Sequence, residues 1–147
     1  MKKVTTIILI FVLSISSLFS ISVFASEKDD DIVVFASTHF AKNDAGVRIN
    51  SDGEVEVEFT VKGKRPMDEI GVSKIVIQEK YGTSWSNVKT FSSSTYSSLM
   101  TENDIAHSGE VTYNGKDGYM YRAKVTFYAE DSSGSDERTV ITDSVTV

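Results

Sequence analysis

Residues 54–62 decide the fold, because they read Glu-Val-Glu-Val-Glu-Phe-Thr-Val-Lys, with an apolar side chain at every second position. Successive side chains of a β-strand point to opposite faces, whereas on a helix these apolar residues would be spread around the whole circumference. The pattern therefore predicts a strand that buries Val55, Val57, Phe59 and Val61. Its other face is predicted to expose Glu54, Glu56 and Glu58 to water.

The same alternation runs without a break over residues 119–129, which read Tyr-Met-Tyr-Arg-Ala-Lys-Val-Thr-Phe-Tyr-Ala. One face of this second predicted strand carries Tyr119, Tyr121, Ala123, Val125, Phe127 and Ala129. Weaker patterns predict strands at residues 31–40, 46–50, 72–80 (with Ile75 and Ile77 inward), 85–91, 109–114 and 138–147. Turn-forming residues separate these segments at positions 43–46, 51–53, 114–115 and 131–134. Residues 92–103 are predicted to form either a helical turn around Leu99 or a crossover loop.

Seven or eight short strands without a long helical period predict an all-β protein, an antiparallel sandwich or barrel. The chain has 147 residues, which is enough for one domain, and we place that domain at residues 32–147. Residues 26–31 hold several acidic side chains and are predicted to form a flexible tail.

The first 25 residues have the layout of a secretory signal peptide. Lys2 and Lys3 precede an uncharged apolar run, and Val23-Phe24-Ala25 offers a cleavage site. The alternative is an uncleaved membrane anchor over residues 4–25. We expect cleavage, and we expect the product to be secreted, free of the membrane and extracellular.

Composition excludes several classes of protein. The chain has no cysteine, so it has no disulfide framework, thiolate metal site or cysteine nucleophile. Its net charge of −6 argues against nucleic acid as a partner, because phosphate binding requires a basic surface.

Catalytic and metal-binding motifs are scarce. His39 and His107 are the only histidines, both are predicted to lie at the surface, and no nucleophile elbow or phosphate-binding loop is present. We therefore predict a protein that is not an enzyme and has no cofactor. Calcium at Asp131, Asp136 and Glu137 is the alternative to a simple turn with solubilising charge.

Residues 117–123 resemble strand F of immunoglobulin-like domains. Asp117 precedes Tyr121 by four residues, and Ala123 stands where that family has its second cysteine. The resemblance implies that the Tyr121 phenol bonds back to the main chain. The later stretch to Glu137 is more similar to a fibronectin type III domain, and the order of motifs is also similar to small uncharacterised secreted proteins of Gram-positive bacteria. The resemblance thus implies an antiparallel immunoglobulin-like or fibronectin type III-like β-sandwich.

In an immunoglobulin-like order, residues 72–80 and 119–129 are neighbouring strands of one sheet, and residues 54–62 belong to the other sheet. Their outward side chains would then form one mildly basic face, opposite the acidic face that holds the three glutamates. A solvated sheet surface is the ordinary interpretation of such a face, and an interaction surface is the sharper one. The predicted interaction face consists of Lys74, Val76, Gln78, Met120, Arg122, Lys124 and Tyr128.

These observations favour a secreted, non-catalytic binding module for a protein or a cell-surface polymer, with weak self-association through the two charged faces. Two alternatives stay open at this point. One is a small exported hydrolase that acts on glycans with carboxylates. The other is a secreted toxin or inhibitor, for which residues 92–107 are the only long loop.

Overall fold

The computed structural model describes residues 37–147, which form seven strands and one turn of 3₁₀ helix. The strands are β1 (Phe40–Ile49), β2 (Val55–Tyr81), β3 (Ser84–Ser92), β4 (Met100–Tyr113), β5 (Met120–Asp131), β6 (Gly134–Ile141) and β7 (Val145–Thr146), with the 3₁₀ turn at Ser97–Leu99. This confirms the all-β class and the predicted number of strands. The predicted signal peptide (1–25), the tail (26–31) and the start of the first predicted strand lie outside the described residues.

β2 organises the whole sheet. β1 pairs with its first half, β4 pairs with it from Val55 to Gly71, and β3 and β5 pair with its second half. β6 and β7 add to β5, and every pairing is antiparallel. Each of the other strands is therefore bound to β2 directly or through β5 alone.

Two predicted strands, residues 54–62 and 72–80, are one continuous strand in the structure. The sequence pattern predicts no element at residues 63–71 between them, but the backbone there stays extended and absorbs the extra residues in a bulge. Lys62 pairs with Ala106 and Met67 with Asp104, so β2 advances five positions while β4 advances two. Bulges of this kind bend a strand and increase its twist, which turns the two halves of β2 around a common interior. The prediction that these segments belong to separate sheets is wrong.

The turn predicted at residues 43–46 is also wrong. Asn43 pairs with Val61 and Gly46 with Glu58, so the whole segment lies inside β1. Pairing with β2 overrides the turn preference of its residues. The predicted turns at residues 51–53 and 131–134 are confirmed as the β1–β2 and β5–β6 connections.

The core is formed by the inward faces of both halves of β2 and of β5. The predicted inward positions of residues 54–62, Ile75 and Ile77, and the alternate residues of β5 from Tyr121 to Ala129 are all buried, in a single hydrophobic cluster. Tyr119 is the exception, because β5 begins one residue later and its side chain is 39% exposed.

The ambiguous segment after β3 contains the 3₁₀ turn, whose Leu99 is buried. This turn crosses β2 at Gly71, where a Cβ atom would clash with the Leu99 carbonyl oxygen. Only glycine allows the two backbones to come this close. β4 then begins at Met100 and is much longer than the strand predicted at residues 109–114.

One ionisable side chain, Glu79, is completely buried at the end of β2. The Tyr121 hydroxyl donates to its carboxylate at 2.6 Å, and the Lys116 ammonium donates at 3.3 Å. The Lys116 backbone N–H in turn donates to the Tyr121 hydroxyl at 2.9 Å, which confirms that this phenol bonds back to the main chain. The hydrogen bond from Tyr121 and the neighbouring Lys116 lower the pKa of Glu79, and burial with the bond to Glu79 raises the pKa of Tyr121 to about 12.

The substitution Tyr121→Phe tests this buried network. It keeps the ring but removes the hydroxyl, so that Glu79 and the Lys116 N–H each lose a partner inside the protein. We expect the free energy of unfolding, measured by urea denaturation, to fall by about 1–3 kcal/mol. Tyr113→Phe is the matched control, because Tyr113 packs edge-on against Tyr121 and its hydroxyl has no hydrogen bond within residues 37–147. Equal stability of the Tyr121 variant and the wild type would contradict this role.

Candidate functional site

The outward side chains of β2 and β5 form one surface, as predicted from the sequence. In the antiparallel register Lys74 lies opposite Thr126, Val76 opposite Lys124, and Gln78 opposite Arg122. Lys74 and Lys124 are exposed, Val76, Met120, Arg122 and Tyr128 are half-buried, and Gln78 is buried. The structure therefore brings the predicted residues onto one face, although Gln78 lies beneath its neighbours rather than at the surface.

Four cations dominate this face. We define the cationic patch as Lys74, Lys80, Arg122 and Lys124 together with Trp85. None of the four cations makes an ion pair with a carboxylate within residues 37–147. No carboxylate therefore compensates their charge, and Lys74, Lys80 and Lys124 are exposed to solvent.

Trp85 gives the cationic patch a fixed centre. The Arg122 guanidinium lies 4.3 Å from the centroid of the indole ring, and the Lys80 ammonium lies 5.9 Å away. Arg122 also donates to the Gln78 side chain at 2.9 Å, and Gln78 donates to Asn87 at 2.8 Å. Stacking and hydrogen bonding hold the guanidinium in one orientation before any partner arrives.

Sequence reasoning missed Trp85 as part of this face. The two-residue turn Gly82-Thr83 could have placed Trp85 on this face, because a hairpin with such a turn fixes the register of its two strands. Counting outward from it places Trp85 directly opposite Lys80 and therefore on the same face.

Tyr128 lies at a chemically different end of the surface. Its hydroxyl donates to Glu130, and it pairs across the strands with Glu137. The hydrogen bond to Glu130 raises the pKa of Tyr128. This end is acidic, so Tyr128 does not belong to the cationic patch.

The first half of β2 carries the opposite charge. We define the acidic patch as Glu56, Glu58 and Glu110 together with Arg48. The Arg48 guanidinium contacts the carboxylates of both Glu56 and Glu58, and the hydrogen bond to Glu58 raises the pKa of Arg48. The prediction that Glu56 faces water is wrong, since it is only 5% exposed with Arg48 beside it.

The acidic patch is also where a cation could bind. One carboxylate oxygen from each of Glu56, Glu58 and Glu110 lies within 4.8 Å of the others. Shallow depressions of about 300 and 440 Å³ flank Glu58 on its two sides. Arg48 already neutralises part of this charge, so a metal ion here would compete with its guanidinium.

His39 and Asp131 belong to a polar cluster near the β5–β6 turn, and the prediction of a surface histidine is wrong for His39, which is buried. Its Nε2 lies 3.4 Å from Asp131, and the Ser133 hydroxyl donates to the same carboxylate oxygen at 2.5 Å. The arrangement differs from a catalytic triad, because the serine is bonded to the acid rather than to the histidine. Arg65 donates to the other oxygen of Asp131 at 2.6 Å, so the cluster joins β2 to the turn. His107 is half-buried on β4, where its ring lies beside Phe59.

The structure does not bring together the three carboxylates considered for calcium. Asp131 is held by Arg65 and Ser133, Asp136 accepts from Ser37, and Glu137 accepts from Ser73 at 3.1 Å. Asp136 and Glu137 are consecutive residues of β6, so their side chains point to opposite faces of the sheet.

No family model, curated protein or solved structure significantly matches this chain. Within residues 37–147, no helix is long and apolar enough to cross a bilayer.

Acid titration tests the cluster around Asp131. Hydrogen bonds from Ser133 and the Arg65 guanidinium lower the pKa of Asp131 from 3.8 to about 2. A lowered folded-state pKa contributes stability above the unfolded-state value, and this contribution is lost as the pH falls through the folded-state value. We expect wild-type stability, followed by urea denaturation, to fall between pH 3.8 and about 2.

The variant Asp131→Asn should lose part of this acid dependence and be less stable near neutral pH. Asp52→Asn is the control, since Asp52 is exposed in the β1–β2 turn. An unchanged acid slope in the Asp131 variant would show that the cluster does not act in this way.

Proposed function

We propose that this protein is a secreted, non-catalytic binding module that captures a linear anionic cell-surface polymer on its cationic patch. The observation that carries the proposal is the group of four cations on one face without an ion pair within residues 37–147, two of which lie over the ring of Trp85. In a chain with a net charge of −6, such a concentration of positive charge on one face is not a consequence of composition.

The geometry of the strands suits an extended partner. Side chains on one face of a strand recur about every 6.8 Å, so Lys74 and Lys80 place charges along the direction of β2. Arg122 and Lys124 form a second row on the adjacent strand, roughly 4.8 Å away. A linear polymer laid along the strands would meet cations on both rows. Cations are also placed to increase the rate of encounter with such a polymer.

The amide and aromatic groups add specificity to this charge. Trp85 and Arg122 belong to the residue types enriched where proteins meet their partners. Because Gln78 and Trp85 fix the guanidinium, little side-chain entropy is lost when it binds.

The hydrolase alternative receives less support from the acidic patch. Glycoside hydrolysis requires one carboxyl group as an acid and another across a cleft from it. Here Glu56 and Glu58 share the guanidinium of Arg48 on the outer face of a sheet, beside depressions that are shallow.

We propose in addition that the fold is an immunoglobulin-like variant of the β-sandwich. Two features support this similarity of fold. β2 pairs directly with β5, and the Lys116 N–H donates to the Tyr121 hydroxyl. The continuity of β2, where immunoglobulin-like domains have two strands in different sheets, is the main departure.

Binding to defined polyanions tests the proposed function. The probes are polygalacturonate, which carries carboxylates, and polyphosphate, and the measurement is isothermal titration calorimetry at two salt concentrations. We expect the double substitution Arg122→Glu/Lys124→Glu to weaken binding by about tenfold or more, because it replaces attraction with repulsion. Binding should also weaken as salt increases.

Lys89→Glu is the control, since it reverses one positive charge on β3, at a site where the ammonium lies over Phe91, which is buried in the core. It should leave the affinity unchanged. The proposal would be overturned if the protein bound neither probe, or if the Lys89 variant lost as much affinity as the double variant. Capture of an acidic protein without binding to either polymer would replace the polymer with a protein as the partner.

A further inference from the structure

We propose that the acidic patch of one molecule docks on the cationic patch of a second copy, so that the chain associates head to tail. The occupant of the acidic patch is thus another molecule of the same protein. This inference adds a second interaction surface to the proposed function, and the two share the cationic patch.

The acidic patch contains more negative charge than its own arginine can compensate. Glu58 and Glu110 lie directly opposite each other on β2 and β4, an arrangement that destabilises a sheet when both are charged. Arg48 contacts Glu56 and Glu58, so Glu110 has no cation within ion-pair distance in residues 37–147. A positively charged partner would relieve this repulsion.

The cationic patch is the matching surface. Its four cations likewise make no ion pair within residues 37–147. Each patch lies on the outward side of β2, one beside β4 and the other beside β3 and β5. Along the described chain no ion pair joins the two patches, so both are open to a partner of opposite charge.

The symmetry of such a contact follows from its chemistry. The two patches consist of different residues, so a single head-to-tail contact leaves one patch free on each molecule. Repetition of this contact produces an open chain, or a ring where the rotation closes, whereas a two-fold dimer would make the contact twice. Exposed charge pairs are individually weak, so the association should be reversible and sensitive to salt. An anionic polymer on the cationic patch would compete with the second copy.

Sedimentation velocity of the purified protein over a range of concentrations tests this inference. At low ionic strength the average mass should rise with concentration. Raising the ionic strength from roughly 0.01 M to roughly 1 M shortens the screening length from about 30 Å to about 3 Å and should abolish the association.

Two variants, each with the charges of one patch reversed, make the test specific. Arg122→Glu/Lys124→Glu removes the cationic patch, and Glu58→Lys/Glu110→Lys removes the acidic patch while leaving the buried Glu56 in place. Each variant alone should stay monomeric, and an equimolar mixture should associate again because each supplies the surface that the other lacks. Lys89→Glu and Asp52→Lys are controls that each reverse one charge outside both patches, and they should associate like the wild type.

Circular dichroism must first show that each variant is folded. If Glu58→Lys/Glu110→Lys does not fold, Glu58→Gln/Glu110→Gln replaces it, and this variant should associate about tenfold more weakly than the wild type. A wild type that stays monomeric at low ionic strength, or a mixture that does not associate, would overturn the inference. Binding of the acidic-patch variant to polygalacturonate or polyphosphate separates the two proposals, because that variant keeps the cationic patch intact.

Discussion

The structure depends on the continuity of β2 through its bulge. One face of this strand is apolar on both sides of the bulge, so both halves must bury the same side. Two irregularities allow this, the bulge between Lys62 and Met67 and a second register shift between Val72 and Lys74. After the second shift, Ile75 and Ile77 face the core, as the apolar residues of the first half do. The positions of the two charged patches follow directly, since the outward side chains of one strand must lie outside the common core.

Much of this arrangement could be predicted from alternation alone. The pattern assigned the faces of β5 correctly from Tyr121 onward because every second side chain there is apolar and buried. It did not predict that residues 63–71 join the two segments, because apolar and polar residues do not alternate there, and only pairing with β4 shows that the backbone stays extended. The burial of Glu56 also depends on another strand, because Arg48 of β1 lies beside it.

The sequence also predicted only part of the candidate site. The alternation of side chains placed Lys124 and Arg122 on the same face as the outward residues of β2. This prediction required only the assumption that the two segments pair. The separation of Tyr128 from the cationic residues could not be predicted, because it results from Glu130 and Glu137 on the same surface. Charges that are distant in sequence become neighbours only when the register of three strands is known.

The buried network at Glu79 has a consequence for how the domain opens. Glu79 belongs to β2, Tyr121 to β5, and Lys116 to the segment between β4 and β5, so one carboxylate connects three parts of the chain. Any local fraying that exposes this carboxylate must break contacts in all three at once. Amide protons of β2 around Glu79 should therefore exchange with deuterium more slowly than those of the exposed β2–β3 turn that follows at Gly82-Thr83.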